Sequence, residues 1–219
     1  MERGRLITVE GLDGSGKSTL VETLAAALRE GGRPVEVLRE PGGVQVAELI
    51  RSLVKDPALQ IGTRAEALLY AASRAQLVEE RIRPALAAGT WVLLDRFVDS
   101  SLAYQGAGRE LGVEAVADLN VFATGGLVPD LTLLLSLDPE ERRRRLTARG
   151  EPVDRLEGEP DAFFATIAAA YDALAAAEPE RFAVLDGARA PESVLAAAIE
   201  ALPREWALPL IVHAPPPAH

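Results

Sequence analysis

Eight consecutive residues, Gly11-Leu12-Asp13-Gly14-Ser15-Gly16-Lys17-Ser18, bring three glycines, a carboxylate, two hydroxyls and an ammonium into the spacing G-x-x-x-x-G-K-S. That spacing is the phosphate-binding P-loop pattern. Glycines let the backbone wrap tightly with its N–H groups turned inward, and those groups together with the positive end of a following helix make an anion site. In such a loop Lys17 reaches the β- and γ-phosphates of a nucleoside triphosphate, and the Ser18 hydroxyl is placed for Mg²⁺. The flanks agree. Leu6-Ile7-Thr8-Val9 is a short apolar, β-branched run that predicts a buried strand, and residues 18–28 have helical spacing and good helix formers.

Other residues with chemistry to offer stand at the ends of apolar runs. Residues 34–38 predict a second strand, and Arg39-Glu40-Pro41-Gly42-Gly43 after it is a rigid turn with two opposite charges. Trp91-Val92-Leu93-Leu94 predicts a central parallel strand ending in Asp95-Arg96. An acid there is where a magnesium-binding group sits beside a phosphate loop, and Arg96 offers a planar fork to a phosphate. Tyr70 and Arg74, four apart on a predicted helix, share a face and could hold a nucleobase by stacking and hydrogen bonding. Phe97-Val98-Asp99-Ser100-Ser101-Leu102-Ala103-Tyr104-Gln105-Gly106 is polar and amide-bearing and predicts a helix start near 99–101.

Composition narrows the field. The 219-residue chain is long enough for one α/β domain with a real core. Its net charge of −10 argues against a broad nucleic-acid or anionic-membrane surface, so any phosphate site must be a local basic pocket. There is no cysteine, which removes disulfides and thiol chemistry, and the two histidines, His213 and His219, lie at the far end, so a zinc site or histidine triad is not expected. No apolar run is long enough to span a bilayer and the start does not read as a signal peptide, so the expected location is the cytosol. Lysine occurs only at Lys17 and Lys55.

These groups need elements to hold them. Helices are expected over residues 44–54 and over 64–88, the latter with Leu68, Ala72, Ala75 and Ile82 on one face and a kink or the start of a new turn at Pro84. Residues 131–137 predict another buried strand, followed by a helix from Pro139 that carries Arg142 to Arg145 as a solvated face paired Glu140–Arg144 and Glu141–Arg145. Residues 150–158, with Arg155, read as a mobile lid between helices. Asp161–Ala177 predicts an amphipathic helix with Phe164, Ile167, Tyr171 and Leu174 on one side. Residues 182–185 predict a fifth strand, and residues 191–202 a last helix. The whole is expected to be a doubly wound five-stranded parallel sheet flanked by helices, a P-loop NTPase-type α/β fold. It should form a single domain over residues 1–202 with a lid at about 149–158, followed by an irregular proline-rich tail at 203–219.

A GTP-dependent switch would need Asn-Lys-x-Asp to read guanine, and the only asparagine, Asn120, precedes Val121. The ordered series 11–19, 39–43, 70–74, 95–97, 100–106 and 149–157 instead resembles the thymidylate kinase family of bacteria, most specifically in Asp95-Arg96 followed by Ser-Ser-x-Ala-Tyr-Gln-Gly. The resemblance implies transfer of the ATP γ-phosphate to dTMP with Mg²⁺, in a homodimer that binds neither nucleic acid nor membrane. It implies that Gly11, Asp13, Gly14, Ser15, Gly16, Lys17, Ser18 and Thr19 hold ATP, and that Ser18 and Asp95 serve the metal. Asp13 would bind the deoxyribose 3′-hydroxyl, and Arg39 and Arg96 the dTMP phosphate. Tyr70 would stack on thymine, Arg74, Ser101 and Gln105 would read its edge, and Tyr104 would crowd the ribose 2′ position. Because the loop carries Ser15 at its variable position, a lid arginine, Arg149 or Arg155, would join Lys17, Arg96 and Asp13 in catalysis. The adenine site would fall at Asp186-Gly187-Ala188, with Arg142 or Arg145. Another nucleoside monophosphate or deoxynucleoside kinase, and a protein that binds ATP without turnover, remain as alternatives.

Overall fold

The five apolar runs form five parallel strands in the computed structural model, which describes residues 2–149 and 154–206. They are β1 (Leu6–Gly11), β2 (Val35–Arg39), β3 (Trp91–Asp95), β4 (Leu131–Ser136) and β5 (Phe182–Asp186), in the order β2-β3-β1-β4-β5. The chain winds outward from β1 to β2 on one side and then crosses back over β1 to β4 and β5. The direction of winding therefore reverses beside the carboxyl end of β1, where open α/β sheets bind ligands. Register places Val9 of β1 and Arg39 of β2 beside Asp95 of β3. The phosphate loop, Arg39 and Asp95 thus leave the sheet at one edge.

Continuous apolar strands require cover on both faces. On one face α1 (Lys17–Glu30) and α9 (Pro191–Glu200) bury Ile7, Val9, Leu133 and Leu135. On the other, α3 (Thr63–Leu77) and α4 (Arg83–Ala87) pack over Leu6, Val92 and Leu94, and α8 (Asp161–Ala177) packs over Leu134. The remaining helices are α2 (Gln45–Lys55), α5 (Val98–Ser101), α6 (Val113–Thr124) and α7 (Pro139–Arg149).

Several expectations are corrected. Leu68 and Ala72 point outward, whereas Ala67, Ala71, Arg74, Val78 and Ile82 are buried. The inward face is set one residue earlier than the apolar periodicity suggested, because its central member is an arginine. Pro84 stands in the first turn of a new helical segment, one of the two outcomes expected of it. The winding loosens to a π-helix over Val78–Ile82 and α4 resumes at Arg83, which accommodates the missing N–H. The helix at 98 likewise continues as a π-helix over Leu102–Gly108. The arginines of α7 are not one solvated face: Arg142 is buried with its guanidinium 3.6 Å from the Phe164 ring centroid, and Arg144 pairs with Glu141 rather than Glu140. Glu141 also takes Arg145, as expected. Arg204–Trp206 close a further 3₁₀ turn, with Trp206 edge-on against Trp91 at 5.5 Å, so order extends past residue 202. The tail from 207 and the lid residues 150–153 lie outside the described residues.

Candidate active site

The phosphate loop turns through left-handed backbone at Gly14 (φ +84°) and Gly16 (φ +98°), a conformation that costs glycine nothing. Gly16 leads directly into α1, so the loop's N–H groups gather at the helix start. Lys17 is buried there. Its Nζ donates to the Leu12 carbonyl at 2.9 Å and lies 3.8 Å from Asp13 Oδ1. Burial, with Arg96 nearby, pushes its ammonium down to about 8. An ammonium with so little water around it is primed to gain from an incoming anion.

The Ser18 hydroxyl donates to Asp95 Oδ2 at 3.2 Å, and the other oxygen, Oδ1, is buried with no partner among the described residues. A hydroxyl beside an under-used carboxylate suits Mg²⁺, which takes few protein ligands and completes its shell with water and phosphate. No three His, Cys, Asp or Glu side chains converge on a cation site among the described residues.

Arg96 follows Asp95 with φ +70°, a strained value for a non-glycine residue. Its guanidinium donates to Asp13 Oδ1 at 2.6 Å and to Ser100 Oγ at 3.1 Å, and it lies 5.2 Å from the Tyr104 ring centroid. Burial alone would raise the Asp13 carboxyl, but Arg96 and then Lys17 hold it below the ordinary carboxylate range. Beneath Arg96 sits Glu10, wholly buried at the end of β1. It accepts from Phe97 N at 2.7 Å, Ser100 Oγ at 2.6 Å and Tyr171 OH at 3.0 Å. Its carboxyl is raised by burial and by Asp99. Glu10 therefore pins both the residue after Arg96 and the hydroxyl that Arg96 uses.

Arg39 reaches the cavity rim with its guanidinium on Glu48, 2.8 Å away. Its neighbour Glu40 turns inward and takes Arg74 at 2.6 Å. Arg74 is only 1% exposed, and all its N–H groups have protein acceptors: Glu40, Ser101 Oγ at 2.9 Å, Asn120 Oδ1 and the Phe97 carbonyl at 2.9 Å. Arg74 lines the cavity, with its guanidinium held by these acceptors beside the wall that Ser101 and Tyr70 present. Gln105 lines the same wall and donates Nε2 to Glu66 at 2.9 Å.

One cavity of about 660 Å³ collects these groups, a size suited to small ligands. Asp13, Gly14, Gly16, Lys17, Ser18 and Thr19 line one end, Asp95 and Arg96 the middle, and Arg39, Tyr70, Arg74, Ser101, Tyr104 and Gln105 the other end. Gly11 and Ser15, also expected at the site, lie behind the loop: Gly11 ends β1, and Ser15 is buried. Among the described residues the wall carries seven cationic side chains (Lys17, Arg39, Arg51, Lys55, Arg74, Arg96 and Arg145). The expected local basic pocket in an acidic protein is therefore present. Of the lid arginines, Arg155 turns away from the phosphate loop, with Nη2 on Glu66 Oε2 at 2.7 Å and Nε on the Val54 carbonyl at 2.9 Å. Arg149 ends α7, and its side chain lies outside the described residues. Gly187, at the turn expected for adenine, sits against the loop so closely that a Cβ would be 2.9 Å from the Ser15 carbonyl.

Sequence reading missed Glu10, Glu66, Arg51 and Lys55. Lys55, the second lysine, bridges to Asp154 at 2.8 Å and ties the end of α2 to the lid. Glu10 had a signal: a carboxylate following the apolar run Leu6-Ile7-Thr8-Val9 of a buried strand must find donors.

Comparison with known proteins agrees with this geometry. A family profile described as Thymidylate kinase matches residues 9–198. The chain is 49% identical over 199 residues to a thymidylate kinase of Deinococcus radiodurans, covering 91% of this chain and 96% of that one. It is 51% identical over 198 residues to one of Clavibacter sepedonicus, covering 90% and 93%. Against one of Oenococcus oeni it is 48% identical over 206 residues, covering 91% and 95%.

Proposed function

The chain belongs to the thymidylate kinase family; from that premise we propose which of its residues carry the phosphorylation of dTMP by ATP to dTDP. The reaction is the family's and needs no covalent help from the protein. A dTMP phosphate oxygen attacks the γ-phosphorus, the bond to the β–γ bridging oxygen breaks, and ADP leaves. Catalysis consists of aligning two polyanions and neutralising their charge.

Gly14, Gly16, Ser18, Thr19 and the loop amides hold the ATP phosphates, with Gly11 and Ser15 setting the loop's path. Lys17 exchanges the Leu12 carbonyl for phosphate oxygens. Asp13 accepts from the deoxyribose 3′-hydroxyl while steering Arg96 onto the acceptor phosphate, and Arg39 leaves Glu48 to grip the same group. Tyr70 stacks on thymine, Ser101 and Gln105 meet its edge, Arg74 fixes that wall, and Tyr104 fills the space a 2′-hydroxyl would need. Ser18 and Asp95 would hold Mg²⁺, which when bound supplies charge neutralisation across the transferring phosphates. Arg149, near the lid, supplies the remaining positive charge, and Arg145, whose Nη1 approaches the Gly14 carbonyl at 3.4 Å, is its helper. The chain acts in the cytoplasm as a homodimer. No described helix is long and apolar enough to cross a membrane.

The observation that carries this assignment is the convergence of Lys17, the Ser18–Asp95 pair and the Asp13–Arg96 pair on one cavity whose far wall holds Tyr70, Tyr104 and Gln105. A coupled ADP-release assay against dTMP, dUMP, dCMP and AMP tests it. Turnover should be fastest with dTMP, and equal rates with AMP would refute the assigned base wall.

A further inference from the structure

A glutamine amide has two orientations of nearly the same shape, and its neighbours decide which is adopted. Gln105 adopts one of them. Its Nε2 faces Glu66 Oε1, and among the described residues no donor lies within hydrogen-bond distance of its Oε1. Glu66 is fully buried on α3, and every side-chain group on it is a donor. Gln105 Nε2 and Arg109 Nε (3.3 Å) meet Oε1, while Arg109 Nη2 (3.3 Å) and Arg155 Nη2 (2.7 Å) meet Oε2. Flanked by two guanidiniums, this carboxylate acts only as an acceptor, so the amide nitrogen is committed to it. One of its two N–H groups is spent there, and the carbonyl Oε1 is the end of the Gln105 amide with no protein partner among the described residues.

We propose that Glu66, which does not line the cavity, is a positioning residue for base choice: by fixing the Gln105 amide it makes the wall an acceptor, selecting a pyrimidine whose ring nitrogen carries a hydrogen over one whose ring nitrogen is bare. Thymine and uracil meet that requirement at N3 and cytosine does not. A site built to receive a donor rejects the analogue that lacks it, because its buried acceptor is left unpaired. The inference rests on the reading that Gln105 faces the base.

The test compares kcat/KM for dTMP and dCMP in wild type, Glu66→Gln and Gln105→Ala. In Glu66→Gln the new amide can donate to Gln105 Oε1, so Gln105 can turn over and present N–H groups. The dTMP-to-dCMP ratio should then fall by about tenfold or more. The change should lie mainly in the KM for the monophosphates, with the KM for ATP unmoved. A purely structural carboxylate that only neutralises Arg109 and Arg155 would instead lower both rates together and leave the ratio intact, and that result overturns the inference. Should Glu66→Gln not fold, Glu66→Asp keeps the charge for the arginines while withdrawing the oxygens from Gln105, and an unchanged ratio in it is equally decisive. If Gln105→Ala leaves the KM for dTMP unchanged, the reading of Gln105 fails and takes the inference with it. If that KM rises while the Glu66 variants keep the ratio, Gln105 stands and Glu66 alone is refuted.

Discussion

Lys17 sits where its own charge is disfavoured, and this makes a statement about stability as well as catalysis. Its ammonium is lowered to about 8 by burial, against an ordinary value of 10.5. Below pH 8 both the folded and unfolded chains bind the proton, and the native state bears the full cost, about 3 kcal/mol at ~1.4 kcal/mol per unit. Between pH 8 and 10.5 the unfolded chain holds more protons than the native one, so stability from this group rises with pH. Ligand-free Lys17→Met should therefore unfold at higher temperature than wild type at pH 7, and the gap should close as pH rises toward 10.5, as followed by thermal denaturation at stepped pH. The same variant should lose about 100-fold or more in kcat through the missing phosphate contact; substantial activity in the folded variant would refute the loop's role. Arg96 poses the complementary problem. Its left-handed backbone costs about 1–3 kcal/mol and persists because Glu10 holds Phe97 N and Ser100. Glu10→Gln should lower kcat about 10- to 100-fold, since small misplacements of an aligning group are costly. The KM for ATP should hardly move. A steady-state comparison showing unchanged kcat would mean Arg96 needs no such support.

At the scale of elements, the strands were legible because runs buried on both faces have no competing periodicity. Asp95 could be placed at the site from sequence for the same reason, since it ends such a run, whereas Arg39 ends the half-exposed edge strand β2. The helices were legible in extent but not always in face. On α3 the inward stripe runs through Glu66, Tyr70 and Arg74, spaced four apart, and two of these are charged groups paired across the core with Gln105 and Glu40. Hydrophobic pattern cannot find a stripe made of paired charges, so Leu68 and Ala72 were assigned inside in their place. The π-wound segment over Leu102–Gly108 carries Tyr104 and Gln105 opposite that stripe. Two predictions separate the walls. Tyr70→Ala should raise the KM for dTMP far more than that for ATP, since base–aromatic stacking is worth ~1–3 kcal/mol. Tyr104→Ala should narrow the kcat/KM gap between dTMP and its ribonucleotide counterpart, while an unchanged ratio would show that another group guards the sugar.

For the whole molecule, charge and apolar surface divide the labour. A net charge of −10 keeps the exterior acidic, while the cavity gathers its cations around one polyanion site. Elsewhere one side is greasy. Leu49 and Leu53 on α2, Leu68 on α3, and Val121 and Phe122 on α6 are all exposed, Phe122 to 88%. Helix α3 packs against both α2 and α6, so these residues share one side of the molecule. Single exposed apolar residues are ordinary, but a side chain the size of phenylalanine among four aliphatic neighbours marks an interaction surface. Leu68 and Ala72, misassigned to the core from periodicity, satisfy that periodicity if a second copy supplies the missing cover. A self-complementary helical face is what a two-fold dimer requires, and it adjoins the base wall through α3. Phe122→Glu would place a charge on this face without touching the sheet or the phosphate loop. Its dissociation constant should rise by about 100-fold or more, as for an aromatic anchor of an interface, with the monomer's melting temperature close to that of the wild type measured at equal dilution. Sedimentation velocity across a concentration series reads both states directly. A wild type that sediments as a monomer at micromolar concentration would leave the exposed face unexplained by self-association.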